Sequence, residues 1–438
     1  MAQFRKDTHL YLQDNKTLFE VVMMADQYGN LVGPANPSGM AVDAFGRART
    51  SSPFTLYDSV HRYQDNGKEN TSNTATGTAT FNANTASIDL SIDTTSGAAV
   101  YRESKKVFIY QPGKSLQVLK TFCMNPAKTG LRQRVGYFDS ENGFFLERSS
   151  QTTSGVCFVK RSKVTGAVVD TAVDQQSWNI DKLDGTGPSL LTLNLDNPQI
   201  LFIDVEWLGV GSVRMGFVIN GQFIHCHTFN HANLPGSAKG AYMQSATLPI
   251  RSEIENTATT ASSSTFKQIC ATVISEGGYT LSGRARTIGQ DPTNQIPMAS
   301  AGTYYPIVSI RLNPNYMGGV AILKEAGLLP INSANYRYKI VNGGTLTGAV
   351  WANTASDSIV QYNTNTSATF TGGEVLTSGY VASTVQSAGS IQLDTPNIFQ
   401  YQLERNTFAN TQTTLTLVAT AGTATCNVVG SMAWEEIT

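Results

Sequence analysis

The alternation of apolar and polar positions is clearest between residues 199 and 256. Residues 200–207 form an apolar, β-branched run that ends in Leu208-Gly209-Val210-Gly211, a glycine-punctuated turn. Residues 213–219 follow, then Asn220-Gly221, a pair suited to a type I′ turn because both central positions need positive φ. Residues 222–229 bring the chain back. After a loop, Leu248, Ile250 and Ile254 alternate with Arg251 and Glu253. The spacing predicts an antiparallel meander of three strands, with a fourth after the loop. One apolar face of such a sheet must be covered by a second layer.

The same strand period recurs on both sides. Short runs at 106–110, 115–124, 132–138, 143–148, 156–161 and 266–275 are separated by turn signals such as Gln111-Pro112-Gly113 and Asn125-Pro126. Further runs lie at 305–312, 320–325, 336–341, 345–351, 398–405, 413–419 and 426–436. No stretch carries a sustained helical period, and no repeat of fixed length is present. The expected fold is all-β: a jelly-roll-like β-sandwich over 100–277 and a second C-terminal β-sandwich over 278–438. Residues 1–99 are punctuated too often for long elements. They read as an extended N-terminal arm, with Phe45, Arg47, Phe54 and Tyr57 as the side chains that would anchor assembly.

Composition narrows the function classes. Only 14% of the 438 residues are charged and the formal net charge is -1, so no basic field exists to hold nucleic acid or an anionic membrane surface. The five cysteines are scattered without CxxC spacing, which points to free thiols and not to a disulfide framework or zinc knuckle. No apolar run reaches the roughly 18 residues of a membrane-spanning helix. The opening MAQFRKDTHLYLQDNK has no apolar signal-peptide core, so the expectation is synthesis in a host cytoplasm. No cofactor is expected.

Two constellations could carry chemistry. Asp204 and Glu206 stand at i and i+2 on a strand and so share a face, the arrangement by which some retaining glycosidases place two carboxylates about 5 Å apart. The E-x-D-x-x-E run of laminarinase-like enzymes is not met, because the order is reversed and the third acid is absent. Two solvated carboxylates on an outer face are the alternative. His225, His227 and His231 form H-x-H-x3-H, whose first two members would share a strand face as a metal half-site. The alternative there is a set of histidines hydrogen-bonded within a sheet. Asp204, Glu206, His225 and His227 together are the candidate ligand-binding face.

Several phrases resemble a family of virion structural proteins of tailed bacteriophages, frequent in phages of marine and freshwater cyanobacteria. They are DAFGRARTSSPFTLYDS (43–59), YQPGKS (110–115), RVGYFDSENGFFLER (134–148), SWNIDKLDGTGPS (177–189), DVEWLGVGSVRMGFVINGQFIHCHTFNHAN (204–233) and LPIRSEIENT (248–257). The resemblance covers about residues 40 to 260 and brings no catalytic residues with it. It implies a non-enzymatic particle component in the virion, with other virion proteins as partners, without saying which part of the particle; the tail, baseplate or fibre is the expected place. A homo-oligomer is expected, with a trimer the symmetry considered, and a host-surface polysaccharide as ligand. A capsid decoration or head-fibre protein and a glycan depolymerase are the alternatives.

Overall fold

The structure is a computed structural model that describes residues 52–437, apart from 75, 151–154, 235–238, 281, 384–400, 407, 409 and 410. Fifteen strands build the first sandwich. In chain order they are β1 (Phe54–Val60), β2 (Glu69–Thr74), β3 (Thr78–Asn82), β4 (Ser87–Ile92), β5 (Ala99–Ser104), β6 (Leu116–Cys123), β7 (Leu131–Phe138) and β8 (Gly143–Ser149). Then come β9 (Val156–Ser162), β10 (Val169–Asp174), β11 (Gln199–Val205), β12 (Val213–Ile219), β13 (Gln222–Phe229), β14 (Ile250–Asn256) and β15 (Ser264–Ser275). One sheet has the order β13-β12-β11-β6-β15-β4-β3, with β1 also paired to β15. The facing sheet has the order β10-β9-β8-β7-β14-β5-β2. The fold is all-β and jelly-roll-like.

Period-two burial explains the pairing of the sheets. Leu116, Val118 and Phe122 on β6, Leu201, Ile203 and Val205 on β11, and Val135 and Tyr137 on β7 all enter one buried cluster. Covering such apolar surface is worth about 25 cal/mol per Å², which makes this seam the main stabilising term. The intervening residues face outward. On the second sheet that outer face is a cross-strand ladder of charge: Arg132 bonds Glu255 at 2.6 Å, Arg134 bonds Glu147 at 2.6 Å, and Arg251 bonds Glu103 at 2.8 Å.

Four expectations change. Residues 54–92 are not part of an arm: β1 lies against β15, and Ile88, Leu90 and Ile92 of β4 are core residues. The stretch 78–93 alternates enough for one or two strands, and two form there, but its Thr- and Asn-rich composition reads as a linker and so hid that they belong to the sandwich. Tyr57 is not an anchor for a neighbouring subunit. It is 6% exposed, packs on Phe108 at 5.2 Å, and donates a hydrogen bond to Glu69 Oε1 at 3.3 Å. Phe54 is partly exposed beside Tyr279, while Phe45 and Arg47 lie outside the described residues. The fourth strand of the expected meander, β14, crosses to the opposite sheet and sits between β7 and β5. The run at 106–110 forms no strand and meets Leu248 through an isolated bridge at Phe108.

The second set of strands forms a separate pair of sheets. Cys426–Ile437 pairs with Val320–Pro330, with Arg284–Gly289 on its other edge. Opposite it, Thr414–Ala421 lies between Tyr305–Leu312 and Ala334–Asn342. Their core is a distinct cluster around Trp434, Leu417, Ile310 and Leu323. Val107 and Ile109 of the first sandwich pack against Val320 and Ile322 of the second. The Val107 N–H donates to Glu404 Oε2 at 2.6 Å beside that seam. Arg405 forms an ion pair with Asp139 across it.

Candidate functional site: an outer-face cleft on β11, β12 and β13

Register assembles the site. Asn220 and Gly221 both have positive φ, 53° and 77°, so the two-residue turn takes the conformation that the Asn-Gly pair favours. It sets Ile219 opposite Gln222, Val218 opposite Phe223 and Gly216 opposite His225. The ladder then slips: Met215 faces His227, and Cys226 is the extra residue of a β-bulge. A bulge reverses the parity of everything beyond it. His225 and His227 therefore do not share a face as expected. His225 points outward with Thr228, whose Oγ1 lies 2.9 Å from His225 Nε2. His227 turns inward against Phe229, ring centroids 4.6 Å apart.

Two cross-strand rows result on the outer face. Asp204 on β11 stands opposite Arg214 on β12, which stands opposite Thr228 on β13. Beside it, Phe202 stands opposite Gly216, and Gly216 opposite His225. A Cβ at Gly216 would come within 2.8 Å of the Phe202 ring, so glycine is what lets that ring lie across the strand. Phe202 meets Phe223 edge-on at 5.2 Å, and Phe223 is exposed.

The row containing Asp204 opens into a cleft of about 500 Å³, lined also by Lys114, Ser115, Glu206, Leu208 and Ser212. Lys114 is fixed by the Gln111 Oε1 acceptor at 2.8 Å, and Ser115 donates to Glu276 Oε2 at 3.0 Å. Asp204 is 7% exposed and ion-paired with Arg214, whose side chain is 56% exposed. Asp204 Oδ1 is buried without a hydrogen-bond partner. Burial raises the Asp204 carboxyl above its ordinary range, against the pull of Arg214. Glu206, one residue past the end of β11, is exposed on the rim. Asp204 and Glu206 thus line one cleft, but only Asp204 is held by a partner with a fixed register.

The histidines do not converge on a metal. His227 accepts the Asn179 N–H on Nδ1 at 3.3 Å, and burial lowers its pKa to about 4. His231 Nδ1 lies 2.8 Å from the Gly211 carbonyl, and its ring stacks on Tyr242 with centroids 3.5 Å apart. Burial lowers its pKa to about 4 as well. Among the described residues, no group of three His, Cys, Asp or Glu side chains could hold a metal ion. Sequence reasoning missed Arg214, Thr228, Phe202 and Phe223. The hairpin register implied by Asn220-Gly221 could have placed Phe223 and His225. The pairing of β11 with β12 was expected from the meander, but the bulge leaves no comparable signal.

No protein-family model matches the sequence, and no curated protein does. Among solved structures the chain is similar to the carbohydrate recognition domain of Emp47p, at 12% identity over 54% of this chain and 100% of that one, with a TM-score of 0.33. It is also similar to the β-glucanase of Bacillus licheniformis, at 13% identity over 52% of this chain and 100% of that one, TM-score 0.31. The CBM2 module of the evolved Dit of Lactobacillus casei BL23 phage J-1 matches at 7% identity over 53% of this chain and 100% of that one, TM-score 0.33. At these values the likenesses carry no argument about function.

Proposed function

We propose that this protein is a structural, non-enzymatic component of a tailed-phage particle, at the tail, baseplate or fibre. In this reading its first sandwich binds host-surface polysaccharide in the Asp204–Arg214 cleft. The observation that carries the binding half is an exposed guanidinium held in place by a buried carboxylate. Asp204 orients Arg214, whose remaining donors line the opening together with Thr228, Ser212 and Glu206. Phe202 and Phe223 add an apolar platform on the same face, and a sugar ring needs both kinds of contact. The particle assignment is supported by the resemblance of residues 40 to 260.

Two measurements test this reading. Antibody against the chain, visualised by immunogold on intact particles, is expected at the tail tip or fibres. Label spread over the head would make it a decoration protein, and no label on any particle would remove the virion reading. Separately, Arg214→Ala is expected to abolish retention on host polysaccharide while the protein still folds. Retention unchanged in that variant would remove the cleft as the binding site.

One observation favours a second reading, glycan hydrolysis. Asp204 carries a raised pKa and shares its cleft with the exposed Glu206, as an acid and its partner carboxylate would. Asp204→Asn and Glu206→Gln separate the readings. Turnover of host polysaccharide by the wild-type chain, lost in either variant, would establish the depolymerase. Absence of turnover with binding retained supports the binding role.

A further inference from the structure

A second pocket opens beside the 208–212 turn that also borders the Asp204 cleft; Ser212 of that cleft donates to Asn230 of this pocket at 3.2 Å. It holds about 290 Å³, at the small end of ligand pockets and enough for one ring or one branched side chain. Its rim is aliphatic. Val164, Val169, Val210 and Leu234 all line it, and they are 39%, 47%, 43% and 46% exposed. Four exposed aliphatic side chains around one opening, on three separate chain segments, are a patch and not scattered surface residues.

The floor has a single charge. Lys160 on β9 shares the parity of the core residue Phe158, so its stem lies at the mouth of the space between the sheets. Its ammonium sits 5.8 Å from the Tyr242 ring centroid. No acidic residue lines the pocket, and no carboxylate pairs with Lys160 among the described residues. That sets it apart from its neighbours. Arg161 is bonded to Asp170 at 2.8 Å, and Lys163 is paired with Glu141. Burial alone pulls the Lys160 pKa down, with no acid opposing it. The other polar groups cannot supply the missing negative charge. His231 directs its Nδ1 at the Gly211 carbonyl, which makes that nitrogen the protonated one of a neutral ring. Ser162, Thr165, Thr171 and Asn230 add only neutral donors and acceptors.

An apolar rim around one uncompensated, half-buried cation defines a ligand by complementarity. We infer that this pocket binds a small carboxylate with an apolar body, the carboxylate on Lys160 and the body against the Val164, Val169, Val210 and Leu234 side chains. The same chemistry is offered by a free aromatic or branched-chain acid and by a peptide C-terminus that ends in an apolar residue. The site shares no lining residue with the Asp204 cleft and needs no role in a particle.

The test uses the full chain with labelled Val and Leu methyl groups, observed by NMR. Benzoate and its neutral isostere benzamide are titrated in parallel. Benzoate is expected to shift the methyls of Val164, Val169, Val210 and Leu234, with benzamide about tenfold weaker or worse. Lys160→Gln is expected to remove that preference, while unchanged methyl positions for Leu90 and Leu201 show that the core is intact. N-acetyl-leucine and its amide form a second arm. Tighter binding of the acid than of benzoate assigns the pocket to a peptide C-terminus, and the reverse order assigns it to a free aromatic acid. Equal response to benzoate and benzamide, persistence of the preference in Lys160→Gln, or no shift with any probe would overturn the inference.

Discussion

The first sandwich carries charge in two quite different settings. Between its sheets, Glu69, Arg102, Lys120 and Gln268 are all within a few per cent of complete burial. On its outer face, Asp204 is nearly as buried, yet its partner Arg214 stands largely in solvent. The interior group is paired mainly within itself, although Arg102 Nε and Gln268 Oε1 make no hydrogen bond. Gln268 Nε2 donates to both oxygens of Glu69 at 2.6 Å, Arg102 Nε lies 3.4 Å from Glu69 Oε2, and Arg102 Nη2 reaches Asp65 at 2.6 Å. Lys120 Nζ crosses the seam to donate to Ser252 Oγ on the opposite sheet at 2.8 Å. Networks of this kind, buried between two sheets, fix how the layers sit on each other. The outer pair is open, with most of the Arg214 guanidinium in solvent. The difference separates charge used for architecture from charge available to a ligand.

Breaking the interior group should have the largest effect. Glu69→Ala leaves the Arg102 guanidinium and the Gln268 amide facing a void between the sheets. The expected loss is about 3–5 kcal/mol of unfolding free energy, read from the denaturant midpoint. A loss under about 1 kcal/mol would mean that water substitutes for the carboxylate, and the contrast with the Asp204 site would weaken.

This contrast was only half legible in the sequence. The strands that matter most, β6 to β9 and β11 to β13, announce themselves by period-two alternation and by glycine, proline and Asn-Gly turns. The carboxylate pair Asp204 and Glu206 was visible for the same reason. The interior group was invisible because its members come from β2, β5, β6 and β15, more than 190 residues apart at the extremes, counting from Glu69 to Gln268. Lys120 occupies the apolar parity of β6, between Val118 and Phe122. A lone polar residue in that register reads as a flaw in the pattern, and only the facing sheet supplies its Ser252 partner. The β-bulge at Cys226 is illegible for a related reason. It is set by what β12 offers, and it alone sends His225 outward and His227 inward.

Lys120 gives a sharper and smaller test. Burial lowers its pKa to about 8, from roughly 10.4 in an unfolded chain. Between those values the unfolded chain holds the proton and the folded chain has released it. Stability from this group therefore rises as pH climbs from about 8 to 10.4 and is lowest below that window. Lys120→Met removes both the charge and the slope. The variant is expected to be neutral to about 2 kcal/mol more stable at pH 7. The difference between the two chains should shrink as pH rises through the window, which thermal melts at pH 7 and pH 10 measure. A difference that does not change with pH would show that Lys120 is not a buried ammonium in the folded protein.

The smallest stability effect should come from the outer site, where the functional effect is greatest. Asp204→Asn keeps the size of the side chain and removes its charge. Arg214 is 56% exposed and can turn to solvent when its partner is neutralised, so the loss of the pair should cost on the order of 1 kcal/mol or less. Loss of the raised carboxyl pKa partly offsets even that, because a neutral amide carries no cost of burying charge. The chain should melt within a few degrees of wild type, yet its retention on host polysaccharide should fall about tenfold or more, since the charge that orients Arg214 is lost. A fall in melting temperature comparable to that of Glu69→Ala would place Asp204 with the interior group. Its pairing with Arg214 would then be a feature of packing and not of recognition.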